Sequence, residues 1–451
     1  MTNNTKEKFV KPEFCWDTSQ KSPYLNNYGD DITKSYIGEK AFNELYEKEV
    51  RRDIRGQNAN FFIRLKEKAK MYFYFILLVT RLVLRNLKKG QRATHFLGIG
   101  AKGTITFNSD NTIFADDLLF SKNKRYNIML RHADATLLHN KSCVVRSASI
   151  KILDENNNSI IDFIMNSGTG VTFRNFREFL RIAPFINIGE PIEGYKNLIS
   201  SNSFYSRAQI EFFRDGGSLT SYHRCVYYSH VKYHYIDKNG KIWICSFRIV
   251  PYDIIIKGFE EEGMLETYEE QENLVFHRKD EYVKNADKKF DFLQEELVKR
   301  IEKNDANYVL QVSARPYKKE YTPFHREIYC GSSHWDSKTY PYTTIAHISL
   351  NEAMSAEDTE RSSYALSNIP KSFSFPYSYS IDDYNSVAWV RSRLYKILGL
   401  CRKVGHYIRA AKNMDINWNW KQKDTPDCLN HNEGFARLEK IKKHAALKNK
   451  S

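Results

Sequence analysis

From Gly98 onward the chain alternates apolar and polar residues with a period of two, and that rhythm commits its centre to β-sheet. Thr104-Ile-Thr-Phe107 alternates, as do Cys225 to Tyr235 and Lys241 to Val250. Successive strand side chains point to opposite faces, so alternation marks strands with one buried face. The last two runs flank Asp237-Lys-Asn-Gly240, a turn ending in Asn-Gly, and together they read as a hairpin of two long strands. Tyr308–Val312 and Thr344–Ile348 add short strands. Strands in succession without regular intervening helices argue for an antiparallel sheet or barrel. Residues 258–304, rich in Glu and Lys, read as surface helices, and a helical pattern returns after Asp382, through Ala388 to Arg409. The fold class expected is α+β.

Composition narrows the reading further. An apolar fraction of 41% over 451 residues supports a large core, and 20 Gly with 11 Pro exclude a collagen-like repeat. Aromatic residues are abundant, with 29 Tyr and 28 Phe, which suits β-sheet packing or a large flat ligand. The seven Cys are scattered and form no C-x-x-C pair, so their spacing encodes neither a disulfide framework nor a zinc site. Met1 to Lys21 is polar and has no apolar h-region, so the default expectation is a cytoplasmic, reducing location.

The net charge of +15 is unevenly spread: residues 51–92 and 391–451 together carry +20. Such clustering suits nucleic acid, an anionic membrane surface or acidic ligands. No zinc-finger, P-loop or RNA-recognition signature accompanies it, so no nucleic-acid partner is expected. Phe61 to Lys89 holds the apolar run Met71–Val79, which Arg81 and Arg85 end well short of the ~20 residues a membrane span requires. Lysines and arginines on both sides allow a basic interfacial helix, giving peripheral contact with an anionic membrane. An arm packed on the protein's own core is the competing expectation. The organisation expected is a basic N-terminal arm and helix over 1–90, a core over 91–405 and a basic C-terminal extension over 406–451.

Two motifs call for opposite treatment. Gly98-Ile-Gly100-Ala-Lys-Gly103 matches the dinucleotide fingerprint, but a strand follows it where that site needs a helix. Close backbone packing is the better expectation for these glycines. Arg391, Tyr395 and Arg402, at i, i+4 and i+11, fall within about 60° of one helix face. A tyrosine is a poor metal ligand until it loses its proton; a guanidinium one turn away favours the phenolate, which can bind ferric haem iron. Periodicity alone equally allows a buried Tyr beside a solvent-facing Arg.

Five collinear segments resemble the haem catalase superfamily, and within it the catalase-related allene oxide synthases. The first is Arg92-Ala-Thr-His95-Phe-Leu-Gly-Ile-Gly-Ala-Lys-Gly103, in which the Thr-His pair is similar to the synthases and not to true catalases. The others are Leu130-Arg131-His-Ala133, Asp162-Phe-Ile-Met-Asn166-Ser-Gly168, Tyr227-Tyr-Ser229 with the hairpin ending Arg248-Ile-Val-Pro251, and Asp382-Asp-Tyr-Asn-Ser386 leading into Arg391 and Tyr395. The resemblance spans roughly residues 92–402. It implies a catalase-like antiparallel β-barrel with surrounding helices, binding haem b. Tyr395 would be the iron ligand, with Arg391 hydrogen-bonded to its oxygen. His95 would be the acid–base over the iron and Asn166 its polar partner. Arg92, Arg131 and Arg402 would hold the haem propionates. Thr94 stands where true catalases have Val, and its hydroxyl would hold the His95 imidazole back from hydrogen peroxide. The resemblance thus implies an enzyme acting on a fatty-acid or other organic hydroperoxide, as a dehydratase yielding an allene oxide, with a haem peroxidase or weak catalase as the alternative. The chain departs from true catalase after Asn166, where Ser-Gly-Thr-Gly stands, and after Tyr395, where Lys-Ile-Leu follows.

Overall fold

The computed structural model describes residues 39–89, 92, 95, 98–108, 113–114, 117–134, 145–168, 173–180, 220–255, 291–331, 335 and 338–412. Among these residues ten strands are laid down in chain order: β1 (Gly98–Phe107), β2 (Arg125–Asp134), β3 (Arg146–Leu153), β4 (Ser159–Ser167), β5 (Tyr227–Tyr228), β6 (Tyr233–Ile236), β7 (Ile242–Pro251), β8 (Asn307–Pro316), β9 (Thr343–Ala353) and β10 (Phe373–Ser374). Neighbours pair antiparallel in the order β1-β2-β3-β4-β5-β7-β8-β9, and β9 pairs back onto β1, which closes an eight-stranded barrel. Closure leaves none of the eight as a free edge. The fold is α+β, as the alternation and the resemblance led us to expect.

Alternate residues of each strand fill the interior. Ile128 and Leu130 of β2, Ala148, Ile150 and Ile152 of β3, and Phe163 and Met165 of β4 all enter one buried cluster with Phe114, Tyr233, Phe247 and Phe373. The abundant aromatics therefore serve the barrel core. The hairpin forms at the expected turn: the Asp237 carboxylate accepts from the backbone N–H groups of Asn239 and Lys241 at 2.9 Å each and from Trp243 Nε1 at 3.0 Å, and Gly240 takes φ +75°.

The continuous strand expected over 225–235 is instead broken. β5 and β6 lie end to end on one edge of β7, separated by Ser229–Lys232. Ser229 Oγ accepts from Phe247 N and donates to Val231 O, and His230 takes φ +53°. Alternation continues through the break, which is why the sequence does not reveal it.

The glycine motif lies on β1, and its glycines are packing devices. A Cβ at Gly98 would stand 2.5 Å from His132 O and 2.7 Å from the Arg131 guanidinium carbon, and one at Gly103 would stand 2.0 Å from Ser349 O. Neither tolerates a side chain, and a strand occupies the place where a dinucleotide site needs its helix.

Helices pack against the barrel. In chain order the described ones are α1 (Glu39–Gln57), α2 (Phe61–Lys89), α3 (Tyr252–Ile255), α4 (Phe292–Glu302), α5 (Arg326–Tyr329), α6 (Ala356–Arg361) and α7 (Ser386–Ala411). Within the charged stretch 258–304, helix α4 is present but half turned inward, with Leu293, Leu297 and Ile301 buried; the residues before Asp291 lie outside the described set. Met71, Phe75, Leu78 and Leu82 of α2 form a row at i, i+4, i+7 and i+11 that packs with Trp389, Leu394 and Leu398 of α7. Among the described residues no helix is long and apolar enough to cross a membrane.

Candidate active site

Between α7 and the outer face of β2, β3 and β4 lies a cleft of about 680 Å³, counting the solvent at its open mouth. The pairing register builds the barrel side of it. Arg131, Ser149 and Ile164 stand opposite one another across β2, β3 and β4, and Ser147 stands opposite Asn166. Directly paired residues share a face, so all five look outward from the barrel. The helix side is supplied by Tyr395, Leu398, Gly399 and Arg402, and Arg92, His95, Ser363 and Tyr364 complete the lining. Five of the eight residues singled out from sequence therefore line one space.

Arg391 stands behind it. Its Nε donates to the Tyr395 hydroxyl oxygen at 3.1 Å. Its two other nitrogens donate to Ile164 O at 3.1 Å and Ser229 O at 3.4 Å. The break between β5 and β6 thus supplies a carbonyl that ties α7 to the barrel. Asn166 sits one rung from the lining residue Ser147, and its Oδ1 is buried without a hydrogen-bond partner among the described residues. Thr94 lies outside the described residues.

Arg92, Arg131 and Arg402 converge on a single carboxylate that sequence reasoning did not find, Glu360 of α6. Arg131 Nη2 reaches Glu360 Oε1 at 3.3 Å and Arg92 Nε reaches Oε2 at 3.5 Å. Arg92 and Arg402 both donate to Ser362 O at 2.7 Å. Burial would raise the Glu360 carboxyl, but Arg92, Arg131 and Arg402 outweigh it and hold the group below the usual carboxylate range. Burial, followed by the charge of Arg92, brings Arg131 down to about 10. Arg402 is driven well below its usual value in the same way. Among the described residues three guanidiniums face one carboxylate, an arrangement suited to an anionic ligand. In sequence, Glu360 looks like one more acid of the short surface helix Ala-Glu-Asp-Thr-Glu-Arg, and nothing in that run marks it.

His95 adopts φ +59°, a left-handed conformation that costs a non-glycine residue roughly 1–3 kcal/mol. Its carbonyl accepts from Arg131 Nη2 at 2.9 Å, which ties the strained backbone to the arginine cradle. Burial, then the charges of Arg131, Arg391 and Arg92, push its imidazole down to about 3, so it is neutral at physiological pH. Its Nδ1 is buried and has no hydrogen-bond partner among the described residues.

These features fit haem b. The cradle's surplus charge matches two propionates, Tyr395 offers a phenol oxygen already held by a guanidinium, and the partnerless atoms of His95, Asn166 and Arg402 are the kind a ligand satisfies. Among the described residues no cluster of His, Cys, Asp and Glu offers a competing metal site.

No protein-family model matches the chain. It is 28% identical over 396 residues, 87% of its length, to the allene oxide synthase-lipoxygenase protein of Plexaura homomalla. It is 26% identical over 309 residues, 66% of its length, to the linolenate 9R-lipoxygenase of a Nostoc strain. The chain spans about a third of the length of both relatives, 35% and 36%. Among solved structures a fungal catalase superposes with a TM-score of 0.55 at 18% identity, over 70% of this chain and 60% of that one. A bacterial catalase does so with a TM-score of 0.55 at 16% identity, over 76% of this chain and 63% of that one. Fold and sequence likeness agree with the motif reading: the chain has a catalase-like fold and is similar in sequence to an allene oxide synthase-lipoxygenase protein.

Proposed function

We propose that the space between α7 and the barrel holds haem b and that the chain acts on organic hydroperoxides, dehydrating a fatty-acid hydroperoxide to an allene oxide. The observation that carries this reading is the Arg391–Tyr395 pair at 3.1 Å, whose tyrosine shares one space with a three-arginine cradle and a neutral His95. Tyr395 would hold the iron, and Arg92, Arg131 and Arg402 would hold the propionates. Bound there, ferric haem would supply homolytic cleavage of the peroxide O–O bond. Arg391 spends one nitrogen on the phenol oxygen and two on the barrel, so it fixes the position of that oxygen.

A neutral His95 is a proton acceptor, suited to receiving the hydroperoxide proton, and Asn166 Oδ1 can accept from the same O–H and orient it. Overall a hydroperoxide loses one water: its O–O bond breaks, a C–H proton leaves and a C–O bond closes the epoxide. No external reductant is consumed. Thr94, next to His95 in sequence, would restrain the imidazole through its hydroxyl, and a neutral hydrogen bond of about 0.5–1.5 kcal/mol corresponds to up to roughly tenfold in rate.

The catalase fold favours one competitor, turnover of hydrogen peroxide. Holoprotein mixed with hydroperoxides of several fatty acids should give allene oxides or their hydrolysis products, with little oxygen from hydrogen peroxide. Thr94→Val should raise oxygen release roughly tenfold at unchanged haem content. Vigorous oxygen evolution by the wild type, unaltered by that substitution, would move the assignment to catalase or peroxidase.

A further inference from the structure

The row of α2 that packs on α7 has a counterpart on the far side of the same helix. At 100° per residue, Phe62, Leu65, Phe73, Ile76 and Leu77 fall within about 60° of one line, opposite the buried row. All five are exposed, Phe62 at 78%, Phe73 at 59% and Ile76 at 61%. Soluble surfaces seldom carry so many large apolar side chains along one line. On the helix beneath, α7 repeats the pattern, with Leu400, Val404 and Tyr407 exposed beside Lys396 and Lys403, which are exposed too.

We propose that this outer face of α2 is a docking surface for an anionic lipid bilayer, with the helix lying in the plane of the interface. Charge selects that occupant. Residues 61–80 contain Arg64, Lys66, Lys68 and Lys70 against the single acid Glu67, and α7 contains no acid at all. A protein partner would require acids to match; a bilayer containing anionic lipid supplies them at any orientation about its normal. An apolar face flanked by cations, on a helix too short in apolar length to span, is the pattern of an interfacial helix. This surface does not depend on the cavity or on what binds there.

The structure also sorts the four cations. Arg64 donates to Ala59 O at 2.9 Å and lies over the Tyr379 ring, and Lys68 donates to Ser378 O at 2.5 Å, so both hold α2 to the protein. Lys66 is exposed within the apolar arc, and Lys70 stands half-buried at its edge, where it also pairs with Glu67 at 3.8 Å; these are the two cations nearest the face offered to lipid headgroups. A variant that reversed all four charges would confuse docking with folding.

The test is vesicle co-sedimentation of the full chain with phosphatidylcholine alone and with phosphatidylcholine containing 30% phosphatidylglycerol. The expected result is binding to the anionic vesicles that weakens as salt is raised from 0.1 to 0.5 M. Phe73→Ser/Ile76→Ser, at exposed positions, should weaken it at least tenfold, and Lys66→Glu/Lys70→Glu should remove most of the difference between the two lipids. Absence of binding to the anionic vesicles would overturn the proposal. So would wild-type binding by both variants, or a concentration-dependent dimer in sedimentation velocity that Phe73→Ser/Ile76→Ser abolishes.

Discussion

His132 is fully buried and His95 only partly exposed, yet both are held neutral, and desolvation is the first cause in each case, pushing either imidazole down to about 3. Their surroundings otherwise differ at every atom. His132 points into the barrel, where Nδ1 meets Ser147 O at 3.1 Å, Nε2 meets the Tyr308 hydroxyl at 2.7 Å and the ring stacks on Tyr222 at 4.5 Å. His95 lines the cavity on a strained backbone and keeps a buried nitrogen without a partner among the described residues. A shifted pKa therefore does not separate the histidine proposed to act on substrate from the one that serves the fold. The partnerless atom and the adjoining space do. His132 has used its hydrogen-bonding capacity on the fold, and His95 has kept part of its own for a ligand.

The contrast is broken most directly by truncating each histidine. His95→Ala should cost about 10²–10⁴ in turnover of hydroperoxide, the range for losing a positioned acid–base group, while thermal stability changes little. His132→Ala should do the reverse. It leaves Tyr308 and Ser147 O short of a buried partner and opens a void in the barrel, for a loss of about 3–5 kcal/mol in denaturant unfolding. A stable His132→Ala protein with impaired turnover would exchange the two roles.

The cradle sharpens the comparison at the next scale of effect. Glu360 is the carboxylate facing Arg92 and Arg131, so Glu360→Gln should destabilise the haem-free protein by about 3 kcal/mol, within the range for breaking a buried ion pair. Haem propionates would supply the missing negative charge, so the loss should be smaller in the reconstituted protein. Equal losses of melting temperature with and without haem would argue against propionates in this cradle.

The smallest effect lies in acid stability. A histidine whose folded pKa is about 3, below the ordinary 6.5, lets the unfolded chain bind the extra proton between those values. Its contribution is constant above pH 6.5 and is lost as pH falls toward 3. Asp383, pushed up to about 7 by burial, works in the opposite sense between its ordinary value and pH 7. Replacing His95 by Ala should remove one proton from the slope, or about 1.4 kcal/mol per pH unit between pH 6 and 4. An unchanged slope would place His95 in contact with water.

Much of the fold is legible because it rests on local rules. Alternation marks parts of β1 and β7–β9, Asp237-Lys-Asn-Gly240 gives the hairpin, and the helical pattern after Asp382 gives α7. The site is legible in part for the same reason, since Arg391, Tyr395 and Arg402 share one helix face. Barrel closure is not legible: the β7–β8 and β9–β1 pairings join residues far apart in sequence, and no local pattern encodes them. Glu360 and the break at Ser229 escape for the same reason. Each is defined by an arginine that arrives from another part of the chain, Arg92 and Arg131 in one case and Arg391 in the other.

The central claim is that Tyr395, held by Arg391, is the haem ligand, and absorption spectroscopy of the haem-reconstituted protein tests it most directly. The wild type should show a Soret band with a high-spin ferric spectrum lacking nitrogenous axial ligation, and Tyr395→Phe should lose that spectrum or bind haem weakly. A wild type that takes up no haem, or a Tyr395→Phe spectrum identical to it, would contradict the account.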